Sequence, residues 1–198
     1  TLTLTINWTN LADGNYTYNV SIKDSANNFN TTLNRIITLD ATKPLVSYGV
    51  GTENDNTFVR RNNVYVNVSV TELNFRNITF RLHNSTSQVN ITTYSTLITT
   101  INWTNLPDQT YTYNVSIIDF VNNQNTTATR TITLDNVAPL VTAVSPTENQ
   151  TITTSSISFE IRTNENSSAL YSLNNGINNI SMTANASGTG FTATNNSI

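Results

Sequence analysis

No cysteine occurs in the 198 residues, which excludes disulfides, thiolate metal sites and thiol nucleophiles. Charge is sparse as well: 11% of residues are Asp, Glu, Lys or Arg, and the net charge is −3. Lys23 and Lys43 are the only lysines and no basic run exists, which argues against nucleic acid or an anionic membrane as partner. No apolar stretch approaches the ~20 residues that span a bilayer. The chain opens at Thr1 without a signal segment or initiator Met, so it reads as processed or fragmentary. The single histidine, His83, stands beside Asn84 and Ser85 in what reads as a polar surface turn. No nucleophile elbow, paired glycosidic carboxylates, phosphate-binding glycine loop, His-x-x-x-His pair or EF-hand run accompanies it, so catalysis is not expected.

What is abundant is asparagine, 34 residues, with 55 Ser and Thr. A genomic bias towards adenine and thymine would raise lysine too, so asparagine itself is favoured at the protein level. With 17 aromatic residues and dense Val, Ile and Leu, the chain can bury a core and lacks the character of a disordered segment.

The strongest signal is an internal repeat. Ile6-Asn7-Trp8-Thr9-Asn10-Leu11 returns as Ile101-Asn102-Trp103-Thr104-Asn105-Leu106, an offset of 95. The match runs without a gap to Pro44-Leu45-Val46 against Pro139-Leu140-Val141; its 41 aligned pairs hold 13 mismatches and therefore 28 identities. A period of 95 suits a whole β-sandwich of ~100 residues, not a solenoid unit. One complete domain is expected over residues 41–135. Residues 1–40 would be the back half of a preceding domain, and 136–198 the front of a following one.

Local patterning is β throughout. Val64, Val66, Val68 and Val70 alternate with polar residues, as do Ile78, Phe80 and Leu82. Tyr111, Tyr113, Val115 and Ile117 continue the alternation, and turn clusters fall at 12–14, 24–28, 119–123 and 174–176. The expected core is Val64, Val66, Val68, Ile78, Phe80, Leu82, Trp103, Tyr111, Val115, Ile117, Ile132 and Leu134.

These residues carry a resemblance. Leu11 to Val20, Asp24 with Asn27-Asn28, Ile36 to Asp40 and Pro44, together with Ala169 to Gly176, resemble the bacterial and archaeal Ig-like tandem repeats of adhesins, S-layer-associated proteins and surface filaments. The resemblance implies an all-β chain of tandem immunoglobulin-like sandwiches, extracellular at a cell surface, with structural or adhesive work. It also implies that Tyr16 and Tyr111 are tyrosine-corner residues whose hydroxyls bond back across the preceding loop. Implied partners are other copies, neighbouring Ig-like domains, glycans or cell surfaces. The alternative function is a glycan-binding module on Ig-like spacers, which an exposed platform at Trp103 or Tyr94 would favour. Trp8 and Trp103, flanked by Ile and Leu, instead read as core or corner packing. A further question is whether the terminal halves are completed by covalent neighbours or by another copy.

Two kinds of site follow. Sixteen Asn-x-Ser/Thr sequons occur, against about nine expected from composition. Asn7, Asn19, Asn30, Asn67, Asn77, Asn90, Asn102, Asn114 and Asn125 are N-glycan candidates, a minority of them expected to be occupied. The competing reading is that a strand's outward face simply alternates polar residues. Acidic residues recur at repeat positions, and end-to-end stacking would bring Asp13 and Asp40 towards Glu72 and Asp119. A second junction would gather Asp108, Asp135 and Glu165. Calcium takes 6–8 oxygen ligands and is the candidate ion, against the reading that these aspartates only form turns.

Overall fold

The computed structural model describes residues 4–196, all in strands, turns and coil, as two compact units that meet between Asn136 and Val137. In the first unit, residues up to Asp40 form two separate two-stranded sheets. Strand β1 (Gly14–Tyr18) pairs antiparallel with β4 (Arg35–Leu39), and β2 (Ser21–Lys23) forms a hairpin with β3 (Phe29–Thr31).

The sandwich that follows is built from nine strands: β5 (Leu45–Tyr48), β6 (Thr57–Val59), β7 (Val64–Thr71), β8 (Phe75–Asn84), β9 (Gln88–Tyr94), β10 (Thr100–Trp103), β11 (Gln109–Asp119), β12 (Gln124–Thr126) and β13 (Arg130–Leu134). One sheet runs β10-β7-β5; the other runs β6-β13-β11-β8-β9, with β12 folded onto β11. Parallel pairing of β6 with β13, within otherwise antiparallel sheets, carries the first strand across from one sheet to the other. This is an immunoglobulin-like β-sandwich.

Period-two sequence explains it. Val64, Val66 and Val68 of β7 point inward with 0–3% exposure while Tyr65, Asn67 and Ser69 turn out. Ile78, Phe80 and Leu82 of β8 lie beside Ile117, Val115 and Tyr113 of the neighbouring strand β11 on the same inner face of their sheet, and Tyr111 continues that face, all buried. Each fully buried aliphatic or aromatic side chain contributes about 1.5–3 kcal/mol, so this layer carries the domain. Tyr113, absent from the expected core, is 1% exposed. Its hydroxyl donates to the Glu53 carbonyl at 3.0 Å, which lets a phenol sit inside without an orphaned polar group. His83 lies on β8 opposite Thr112, half-buried, and not in a turn as the sequence suggested.

The second unit carries β14 (Val141–Ser145), β15 (Ile157–Thr163), β16 (Leu170–Tyr171), β17 (Ile180–Ser181), β18 (Thr183–Ala184) and β19 (Gly190–Asn195). Its main sheet runs β14-β15-β19-β18, and β16 pairs only with β17. Phe191 is its one buried large side chain among the described residues, and Phe159 stacks on Tyr171 with ring centroids 4.6 Å apart.

Trp8 departs from the expected core packing: it is 55% exposed and lies edge-on to Tyr18, whereas Trp103 at the same repeat position is 7% exposed. The reason is long-range. Trp103 pairs with Val64 of β7 and joins the cluster with Phe80 and Leu82; residues 4–40 contain no counterpart of β7 or β8.

Candidate functional site

The repeated tyrosines close the loop before their strand. The Tyr16 hydroxyl donates to the Ala12 carbonyl at 2.8 Å, and that of Tyr111 to the Pro107 carbonyl at 3.0 Å. The turn just upstream takes its left-handed residue from asparagine: Asn10 and Asn105 have φ of 59° and 57°. Gly14, which the second repeat replaces with Gln109, is therefore not what turns the chain.

The aspartates sort into three roles. Asp13 accepts from the Ala41 and Thr42 amides and the Thr42 hydroxyl, and Asp108 accepts from the Asn136 amide at 2.8 Å and its side chain at 2.6 Å. Each thus fastens the residues after its last strand to its own corner. These donors hold both carboxyls below the usual carboxylate range: the Thr42 hydroxyl and Ala41 amide for Asp13, the Asn136 side chain and amide for Asp108. Asp24 and Asp119 instead close matching turns. Oδ1 of Asp24 takes the Ala26 and Asn28 amides at 2.9 and 2.8 Å; Oδ1 of Asp119 takes those of Val121 and Asn123 at the same distances. Asn27 and Asn122 supply the positive φ of these turns.

The third role is the junction. Asp40, Glu72 and Asp119 each place a carboxylate oxygen within 4.8 Å of the others, and Asp119 is fully buried. Their hydrogen-bond partners are neutral. Asn74 donates its side chain to Asp40 and its amide to Glu72, both at 2.6 Å, while the Asn123 side chain reaches Asp119 and the Asp40 and Thr42 carbonyls. No cationic side chain forms an ion pair with them among the described residues. At an effective dielectric of 20, two carboxylates this far apart repel by about 3.5 kcal/mol. Asp40 and Glu72 border a cavity of ≈ 480 Å³ that Asp13, Thr42, Lys43 and Leu73 also line.

Of the expected first junction, then, the fold unites Asp40, Glu72 and Asp119 and leaves Asp13 as a linker anchor. Among the second set, Asp108 repeats the anchoring role; Asp135 follows β13, its amide donating to the Val59 carbonyl; Glu165 belongs to the other unit, where its carbonyl accepts from Thr163 and Ser167. Sequence reasoning missed Asn74 and Asn123. Asn123 had a signal, since its repeat partner Asn28 bonds Asp24 in the same way; Asn74 had none.

A sugar-stacking platform is absent from the two positions that would have supplied it. Trp103 is buried with Nε1 donating to Asn90 at 3.1 Å, and half-buried Tyr94 packs edge-on against Phe80. On the far side of the domain, Tyr48 lies across Tyr113 at 5.7 Å under the Arg130 guanidinium, and its hydroxyl donates to the Ala128 carbonyl at 2.8 Å. Burial pushes its phenol up to about 12.

The sequons divide by environment. Among the candidates, Asn7, Asn19, Asn30 and Asn102 are exposed, and Asn67, Asn77, Asn90, Asn114 and Asn125 are half-buried. Asn67 donates its side-chain nitrogen to the Val50 carbonyl at 3.0 Å, Asn125 to that of Pro44 at 2.9 Å, and Asn19 to Asn34 at 2.7 Å.

No protein-family model matches the chain, and no curated protein matches it significantly. Among solved structures it is similar to fibronectin(III)-like modules of Clostridium thermocellum CbhA, at 10% identity and a TM-score of 0.41, covering 78% of this chain and 80% of that one. It is also similar to a marsupial T cell receptor, at 11% identity and a TM-score of 0.45, over 77% of this chain and 61% of that one. An engineered protein matches 47% of the chain at 17% identity and a TM-score of 0.37, and there the match spans 20% of the other protein's length.

Proposed function

We propose that the chain is a non-enzymatic, extracellular repeat that sets length and shape at a cell surface, as a stalk, lattice component or filament, and carries N-glycans. The carrying observation is that the linkers are fastened, not slack. Asp13 holds Ala41 and Thr42, Asn123 holds the Asp40 and Thr42 carbonyls, and Asp108 holds Asn136. Residues 40–42, tied to Asp13 on one side and to Asn123 on the other, transmit tension and orientation, which a flexible tether does not. The polar, sparsely charged surface fits such work. In this reading, partners are neighbouring Ig-like domains or further copies. A divalent cation of the calcium type would sit at Asp40, Glu72 and Asp119, where it would reverse the carboxylate repulsion and stiffen the junction.

Antibodies against the sandwich, applied to intact and to lysed producing cells, test the location. Labelling of intact cells is expected; labelling that needs lysis would overturn the extracellular reading.

A further inference from the structure

The complete domain holds seven sequons, and the fold treats them unequally. Asn125 has its nitrogen on Pro44, and the Thr127 hydroxyl it requires is buried and accepts from the Val115 amide. The Ser116 hydroxyl of the Asn114 sequon is buried beneath Arg81, and the Thr79 hydroxyl of the Asn77 sequon is buried against Thr93. Asn67 is clamped to Val50. Half-buried Asn90 and Asn84 take their own sequon hydroxyls, Thr92 at 2.6 Å and Thr86 at 3.1 Å.

Asn102-Trp103-Thr104 is different. Asn102 and Thr104 are exposed on either side of buried Trp103, so the indole anchors the strand and the two polar side chains point out. Asn63 donates to Oδ1 of Asn102 at 2.8 Å, which orients the amide and leaves Nδ2 without a partner. The Thr104 hydroxyl is likewise unengaged. The repeat mate Asn7-Trp8-Thr9 is the same tripeptide and is also exposed.

We infer that Asn102, and with it Asn7, is the glycan acceptor of the repeat, one sugar chain every 95 residues, and that the fold closes the other six sequons of the complete domain by burying or engaging their amides or hydroxyls. This rests on the glycoprotein reading above. Transfer would form a bond from Nδ2 to the anomeric carbon of a lipid-phosphate-linked oligosaccharide. It would break that sugar's bond to phosphate and release the lipid phosphate together with the amide proton. The position also has a use: β10 is an edge strand that pairs with β7 alone, and a sugar on it blocks strand-to-strand association between molecules.

The folded 198-residue chain, incubated with a single-subunit oligosaccharyltransferase and lipid-linked oligosaccharide, tests this by glycopeptide mass spectrometry. A Val66→Asp chain, which cannot close the sandwich, serves as the open control. The expected result is Asn102 modified in the folded chain with the other six sequons of the domain empty, and several of those six gained in the control. Modification of Asn114 or Asn125 to the level of Asn102 in the folded chain would overturn the selection by fold. An unmodified chain in both forms would overturn the glycoprotein reading itself.

Discussion

Trp8 and Trp103 share one repeat position and one local sequence, so replacing each by alanine isolates what long-range packing contributes. Trp103 is 7% exposed, with Nε1 on Asn90; removing its side chain opens a large cavity and takes away one of the two donors to Asn90 Oδ1, leaving the Thr92 hydroxyl. Truncation of a buried tryptophan costs about 3–5 kcal/mol, including about 1 kcal/mol for the hydrogen bond. A domain of this size holds about 5–15 kcal/mol in total, so the loss is a large share of its stability. At a urea m-value of about 1.5 kcal/mol/M, the midpoint should fall by about 2–3 M. Trp8 is 55% exposed and stands outside the core cluster of the sandwich, so Trp8→Ala should lower the sandwich's stability by no more than about 0.5 kcal/mol. Urea unfolding followed by far-ultraviolet circular dichroism reads both. Equal shifts for the two variants, or a loss below about 1 kcal/mol for Trp103→Ala, would refute the packing argument.

Val66→Asp buries an unpaired charge between the sheets and should abolish the cooperative transition; a folded variant with native chemical shifts would contradict the core assignment. Millimolar Ca²⁺ should raise the melting temperature of the full chain and EDTA reverse the gain, and Glu72→Gln should remove the response; identical melting curves in both conditions would leave the carboxylates as turn formers. Because burial raises the Tyr48 phenol to about 12, its contribution is fully present below the ordinary value near 10 and is lost as pH climbs through 12. Alkaline unfolding should therefore track tyrosinate absorbance in that window, and Tyr48→Phe should weaken the coupling; an unchanged profile would argue against it. The depressed Asp13 and Asp108 carboxyls should titrate by NMR below the ordinary carboxylate value near 3.9, releasing the linkers only as pH falls through those lower values.

Much of the sandwich was legible because a half-buried strand writes its burial into alternate residues. Val64, Val66 and Val68, or Ile78, Phe80 and Leu82, name their own inner face. The tyrosine corners were legible because their partner lies four residues upstream. What was hidden depends on distant chain. Nothing local distinguishes Trp8 from Trp103, or Asp13 from Asp40; the difference lies in whether β7 and β8 cover the one and whether Glu72 and Asp119 approach the other. Asparagine has local structural roles of its own beside the sequons. Its excess reads as glycosylation, yet Asn10, Asn27, Asn105 and Asn122 hold left-handed backbone, and Asn67, Asn123 and Asn125 clamp carbonyls. A side chain with both donor and acceptor, tolerant of positive φ, serves turns and strand edges alike.

Electron microscopy of material from the producing cells is the most direct test of the proposed structural role. Strands of up to 11 residues, at about 3.3 Å per residue, give each sandwich a length of roughly 35 Å. The account predicts elongated stalks, filaments or a lattice built from a bead of that axial spacing, decorated by antibodies against residues 41–135. Material in which those antibodies mark only isolated compact particles, with no linear repeat, would contradict it.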